Sequence, residues 1–195
     1  MLLTGVSVYN DELVQHHQPT PTTAYLTSGH FLSSLFENWE SEFLQMSAYV
    51  GLTAFLFQRG SAESKNPDGG AKQDEDPANH DGDLNAPLPV RFGELSASLY
   101  AYSLGIALFV LFVLSFAFNL EHSAAAEAVE ALSHGEPAPT IWQHVGSPRF
   151  WFESFQNWHS EFLSTAVLAV LLIFLRFRGS PESKPVAAPH SKTGT

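Results

Sequence analysis

From Leu95 to Leu120 the chain carries no charged side chain. Its centre, Leu104 to Phe118, reads Leu-Gly-Ile-Ala-Leu-Phe-Val-Leu-Phe-Val-Leu-Ser-Phe-Ala-Phe. A helix needs about 20 apolar residues to cross a hydrocarbon core of about 30 Å, and this run exceeds that. A buried helix of a soluble core is the alternative, but a chain of 195 residues could hardly wrap such a helix on every side. Lipid is therefore the expected solvent. The composition agrees: charged residues make up 15%, against roughly 25% in soluble domains.

A second feature is duplication. Residues 28–65 align with residues 147–184 at a constant offset of 119, without a gap, and 18 of the 38 positions are identical. The shared core is Phe36-Glu-Asn-Trp-Glu-Ser-Glu-Phe-Leu44 against Phe155-Gln-Asn-Trp-His-Ser-Glu-Phe-Leu163. A second block is Arg59-Gly-Ser-Ala-Glu-Ser-Lys65 against Arg178-Gly-Ser-Pro-Glu-Ser-Lys184. Shared hydrophobicity does not produce matching Asn, Trp, Glu, Arg and Lys, so an internal repeat is the reading. Upstream, Glu12 to Thr22 lies more faintly over Glu130 to Thr140. In the second copy that loop follows an apolar helix. In the first only Met1 to Tyr9 precedes it, too short to span as helix, and no signal-peptide pattern is visible. The expectation is a chain that starts inside its own first membrane helix, with four such helices in a complete parent.

The predicted architecture is all-α, with three transmembrane helices near residues 31–58, 97–119 and 149–177. Residues 1–65 form the first repeat, 66–93 a flexible linker rich in Asp, Gly, Asn and Pro, 94–184 the second repeat, and 185–195 a disordered tail. Ser147-Pro148 supplies a cap followed by proline at the first helical position, and Gly60 and Gly179 sit where a helix would stop. Ala124 to Leu132 extends the central helix beyond the membrane. Orientation follows Lys and Arg. Eight of the nine cluster in two places, Arg59, Lys65, Lys72 and Arg91 in or just before the linker and Arg176, Arg178, Lys184 and Lys192 at the end of the last span and in the tail, and only Arg149 lies on the other side. Linker and C-terminus are thus expected in the cytoplasm, with residues 1–27 and 121–146 outside.

Some function classes drop out. A net charge of -11 offers no basic stripe for nucleic acid. The absence of cysteine removes disulfides, thiolate zinc sites and thiol catalysis. No phosphate loop, nucleophile elbow or HExxH is present, so no enzyme and no cofactor are predicted. The remaining candidates are polar residues of the repeat. Glu42 and Glu161 are equivalent and sit toward the outer ends of their spans. With Asn38 and Asn157 they could bind a cation or relay a proton at the repeat interface. The alternative is packing, with Trp39 and Trp158 as headgroup anchors. Glu40 aligns with His159, which leaves room for a Glu–His pair across that interface. In the outer loops, Glu12 with His16 and Glu130 with His134 are four apart and share a helical face, a spacing that suits a divalent metal. Solvated loop residues give the same spacing.

The paired Phe-x-Asn-Trp-x-Ser-Glu-Phe-Leu and Arg-Gly-Ser-x-Glu-Ser-Lys motifs resemble those of a family of uncharacterised bacterial multi-pass membrane proteins, a domain of unknown function, over residues 10–186. The resemblance implies a bacterial inner-membrane location and one further N-terminal helix, and it implies no activity. The sequence reading is thus a non-enzymatic multi-pass protein in the lipid bilayer. It binds a small ligand or protein partner, with a homo-oligomer compatible with its few short helices. A small cation or proton transporter using Glu42 and Glu161 is the first alternative, and extracytoplasmic metal binding the second.

Overall fold

A computed structural model describes residues 6–7, 10, 14, 25–62, 64–76 and 86–193. Among these residues the secondary structure is helical, with no strand. The helices are α1 (Gly29–Phe55), α2 (Leu88–Arg91), α3 (Glu94–Ala101), α4 (Ser103–Ser133), α5 (Ile141–Val145) and α6 (Pro148–Phe174). Single 3-10 turns stand at Tyr25–Thr27 and Lys72–Asp74. Two helices are long and apolar enough to cross a membrane, with mean hydropathy over their most apolar 18 residues of 2.3 in α4 and 1.3 in α6.

The ends follow local chemistry. α6 starts at Pro148, and the Ser147 hydroxyl accepts from Phe150 N at 3.2 Å, an N-cap followed by proline at N1. At α1, Ser28 does the same for Phe31 N at 3.2 Å. α5 carries a capping box, in which Thr140 and Gln143 exchange side-chain and backbone bonds. The expected helix over 97–119 is a broken one. α3 ends at Ala101, Tyr102 is a turn residue, and Ser103 restarts the chain as α4, which then runs unbroken to Ser133. Hydropathy is blind to such a break because Tyr102 is as apolar as its neighbours.

The chain divides into two compact units. The first comprises Met1–Phe43 with Val110–His159 and the second Leu44–Phe109 with Ser160–Thr195, so α1, α4 and α6 each contribute to both. The first unit is packed by aromatic rings. Phe36 stacks on Phe118 at 4.9 Å between centroids, Phe116 meets Phe150 edge-on at 5.9 Å, and Phe112 meets Trp158 at 6.2 Å. Phe150 is 2% exposed. α1 comes very close to α4 at Gly29, where a Cβ would lie 3.1 Å from His122 O and 3.2 Å from Ala126 N. Small residues permit that approach where a side chain would prop the helices apart.

The second unit is built around the two Arg-Gly-Ser-x-Glu-Ser-Lys turns. Each has the same internal bonds. Gln58 N donates to Ser64 Oγ at 2.7 Å, and Phe177 N donates to Ser183 Oγ at 3.0 Å. Ser61 N reaches Gln58 O, as Ser180 N reaches Phe177 O. Gly60 and Gly179 take φ of 84° and 88°, the left-handed region that glycine enters without steric cost. In each block one serine caps a backbone N–H past the helix, and the glycine reverses the chain. The lysines differ. Lys65 pairs with Asp74 at 2.6 Å, whereas Lys184 is buried and donates to Gly60 O at 2.5 Å, His190 O at 2.9 Å and Lys192 O at 3.1 Å. Residues 185–193, expected as a disordered tail, hold turns and close over that ammonium.

Candidate functional site

The first unit concentrates the polar chemistry, in two places. The deeper one is Glu40 on α1, which is fully buried. Its two carboxylate oxygens are each taken by a neutral donor, Asn119 Nδ2 on α4 at 2.9 Å and Trp158 Nε1 on α6 at 2.8 Å. A carboxylate away from water is tolerated only when such partners replace its hydration. Three helices are thereby joined at one side chain, with Ser41 and Ser154 buried nearby in sequence on α1 and α6. The pairing of Glu40 with His159 considered from the alignment is not what forms. His159 is exposed, and its neighbour Trp158 supplies the bond instead.

The second place is an open cleft of about 640 Å³ formed by the start of α1, the end of α4, α5 and the start of α6. Its carboxylates and guanidinium are Glu37, Glu127, Glu130, Glu153 and Arg149, and its other polar lining includes His30, His134, His144 and several serines. Four carboxylates against one guanidinium leave an acidic cavity. Arg149 engages Glu153 Oε1 at 3.1 Å and Glu130 Oε2 at 3.4 Å, which ties α6 to α4 along one wall. On another wall His144, 6% exposed, bridges two α4 residues. Its Nδ1 contacts a Glu127 carboxylate oxygen, and its Nε2 lies 2.8 Å from Ser123 Oγ. The capped turn of α5 and the Phe150 ring, 5.1 Å away, fix the imidazole between them.

The candidates read from sequence divide as follows. Glu130, in the last turn of α4, and His134, just past the helix end at Ser133, both line the cleft. Among the described residues no group of three or more metal-capable side chains forms. Glu12 and His16 lie outside the described residues. Asn38 is exposed, with its amide donated back to Ser34 O, and Glu42 is exposed on the same helix. Asn157 is half-buried. In the second unit Glu161 is half-buried, and its backbone carbonyl accepts from Gln45 Nε2 at 3.0 Å and Thr165 Oγ1 at 3.1 Å. Gln45 Nε2 also reaches Thr165 Oγ1. Of the two equivalent tryptophans, Trp39 is 44% exposed, as an interface anchor would be, while Trp158 spends its indole N–H on Glu40.

Sequence reasoning passed over Asn119, Ser123, Glu127 and His144. The Ser123–Glu127 spacing of one helical turn was readable, but His144 enters from another element 17 residues beyond Glu127, and no motif joins them. The chain belongs to the family described as Domain of unknown function (DUF6766), which matches it over residues 1–195. Neither a curated protein nor a solved structure matches it.

Proposed function

We propose that this family member is a multi-pass membrane protein, spanning with α1, α4 and α6, that binds a small cationic ligand in the acidic cleft of its first unit. The observation that carries the reading is the charge of that cleft. About 640 Å³ lies open beside Glu37, Glu127, Glu130 and Glu153, with Arg149 as the counterweight. That volume is within the roughly 300–1,000 Å³ of small-molecule sites. A partly enclosed cavity lined by one sign of charge focuses its field and raises the local concentration of the opposite ion. Arg149 occupies Glu130 and Glu153, and His144 occupies Glu127, so Glu37 is the carboxylate left to meet a ligand ammonium most directly.

The membrane part of the reading is supported by where the apolar residues point. In the most apolar windows of α4 and α6 only 11% and 6% of residues are buried within the protein. A core helix of a soluble protein shows the reverse. The Lys and Arg distribution favours linker and C-terminus on the cytoplasmic side, which sets the cleft on the other.

Titration of the detergent-purified chain with spermidine, choline and citrate tests the ligand class. Spermidine or choline is expected to raise the unfolding temperature, with the effect fading as salt rises. Glu37→Gln is expected to weaken binding about 10-fold, or ~1.4 kcal/mol. Equal response to citrate, or no response to either cation, removes the proposal.

A further inference from the structure

The cleft holds one arrangement that cation binding does not call for. Ser123, His144 and Glu127 form a continuous hydrogen-bonded chain, with both α4 residues and the histidine lining the cavity. In the tautomer that carries its proton on Nδ1, against the Glu127 carboxylate, Nε2 can accept from the Ser123 hydroxyl 2.8 Å away. That is the order of groups by which a carboxylate orients an imidazole and the imidazole activates a serine. The ring is buried and held by Phe150, so the alignment does not have to be found anew in each encounter.

We infer that Ser123 is a nucleophile for acyl transfer, with His144 as its general base and Glu127 as a positioning residue, acting on small esters or amides that carry a cationic group. Ser123 Oγ attacks the substrate carbonyl carbon, the C=O π pair moves to oxygen, and His144 Nε2 takes the hydroxyl proton. The carbonyl re-forms as the bond to the leaving oxygen or nitrogen breaks, and His144 returns the proton to that atom. Water then attacks the acyl-serine, losing a proton to His144, which passes it to Ser123 Oγ as the acid departs. Glu127 remains a carboxylate throughout. The acyl-transfer step stands on the Ser–His–Glu chain, and only the cationic substrate preference rests on the ligand reading above.

The test uses the full chain in detergent with two probes, a fluorophosphonate that labels activated serines and a pair of acetyl esters, acetylthiocholine and neutral p-nitrophenyl acetate. With no cysteine in the chain, thiol release from acetylthiocholine has no protein background. Expected are fluorophosphonate adduct on the peptide containing Ser123 and turnover of acetylthiocholine in preference to the neutral ester. Ser123→Ala and His144→Ala should each lower the rate by about 100-fold or more. Ser123→Ala removes a single hydroxyl, and a retained cooperative unfolding transition in that variant shows that its loss of labelling reads chemistry rather than folding. Glu127→Gln should reduce kcat more than it raises KM, a split that loss of packing alone would not give. An unlabelled wild type, or labelling that survives Ser123→Ala, overturns the inference. If the cations bind but no serine is labelled, acyl transfer fails and the ligand reading stands. If Ser123 is labelled but the neutral ester is preferred, the reverse holds.

Discussion

Glu40 concentrates in one side chain the tension of putting a polar group among apolar ones. Both of its oxygens are occupied by donors that lose their acceptor if it is removed, and one of them, the Asn119 amide, is itself buried. Leaving a buried donor without an acceptor costs about 1–3 kcal/mol, more than the net gain from forming the bond. Glu40→Ala is therefore expected to lower stability by about 2–5 kcal/mol in denaturant unfolding of the detergent-solubilised chain. Glu40→Gln should lose less, about 1–2 kcal/mol, because one acceptor survives. If Glu40→Ala matches wild type, the carboxylate is not a joint between the helices. The alignment brought Glu40 to notice through its mismatch with His159, but gave it the wrong partner. Repeat symmetry predicts that equivalent residues have equivalent surroundings, whereas packing against α4, which stands between the copies in sequence, breaks that equivalence. Ser123 and His144 escaped notice because their meeting depends on how α5 docks, and no local pattern encodes docking.

At the scale of elements, the two Arg-Gly-Ser-x-Glu-Ser-Lys turns show what a sequence block can and cannot specify. Their internal bonds are the same in both copies because glycine, serine and spacing determine them locally. The lysines ending the blocks diverge because one meets Asp74 and the other meets three carbonyls. Burial, and secondarily the nearby Arg176 guanidinium, push the Lys184 pKa below its ordinary 10.5. The sign of the resulting pH dependence follows. Well below the lowered value, folded and unfolded chains both hold the proton, and the cost of burying the charge is fully present. Between that value and 10.5 the unfolded chain still binds a proton that the folded turn has released. Stability must then rise with pH across that window. The gap in unfolding temperature between wild type and Lys184→Met should shift in favour of wild type as pH rises toward 10.5. A flat or falling gap would mean that the carbonyls hold the proton as firmly as water does. The central helix teaches a related lesson: its apolar length was legible, while the interruption at Tyr102 was not, since hydropathy averages over a single residue.

For the whole molecule the governing question is what surrounds the apolar faces. On α4, Leu104, Phe109, Val110 and Leu114 are each about half exposed, and on α6 so are Val167, Leu168 and Val170. Fully burying one such side chain is worth about 1.5–3 kcal/mol, so a face of several left in water forgoes that gain and calls for an apolar partner. In the proposed bilayer setting, lipid would cover these faces of α4 and α6. α1 stands apart from them because its polar residues, Asn38, Glu40, Glu42 and Gln45, lower its apolarity, although its length of 27 residues gives about 40 Å of helix, enough to span. A polar helix crosses a bilayer when its polar groups are satisfied by protein, as Glu40 and Gln45 are. The three proposed spans predict a definite alternation of sides, and a chain without cysteine allows each side to be read one residue at a time. Leu26→Cys before α1 and Ser133→Cys at the end of α4 should react with a membrane-impermeant maleimide on intact spheroplasts. Gln73→Cys between α1 and α2, and Ser180→Cys after α6, should react only after permeabilisation. The decisive position is Leu26. If it is protected while Ser133 is labelled, α1 does not cross, and α4 with α6 forms a membrane hairpin on its own. If Ser133 and Ser180 share a side, α6 does not cross either, and the bilayer is the wrong solvent for its apolar face.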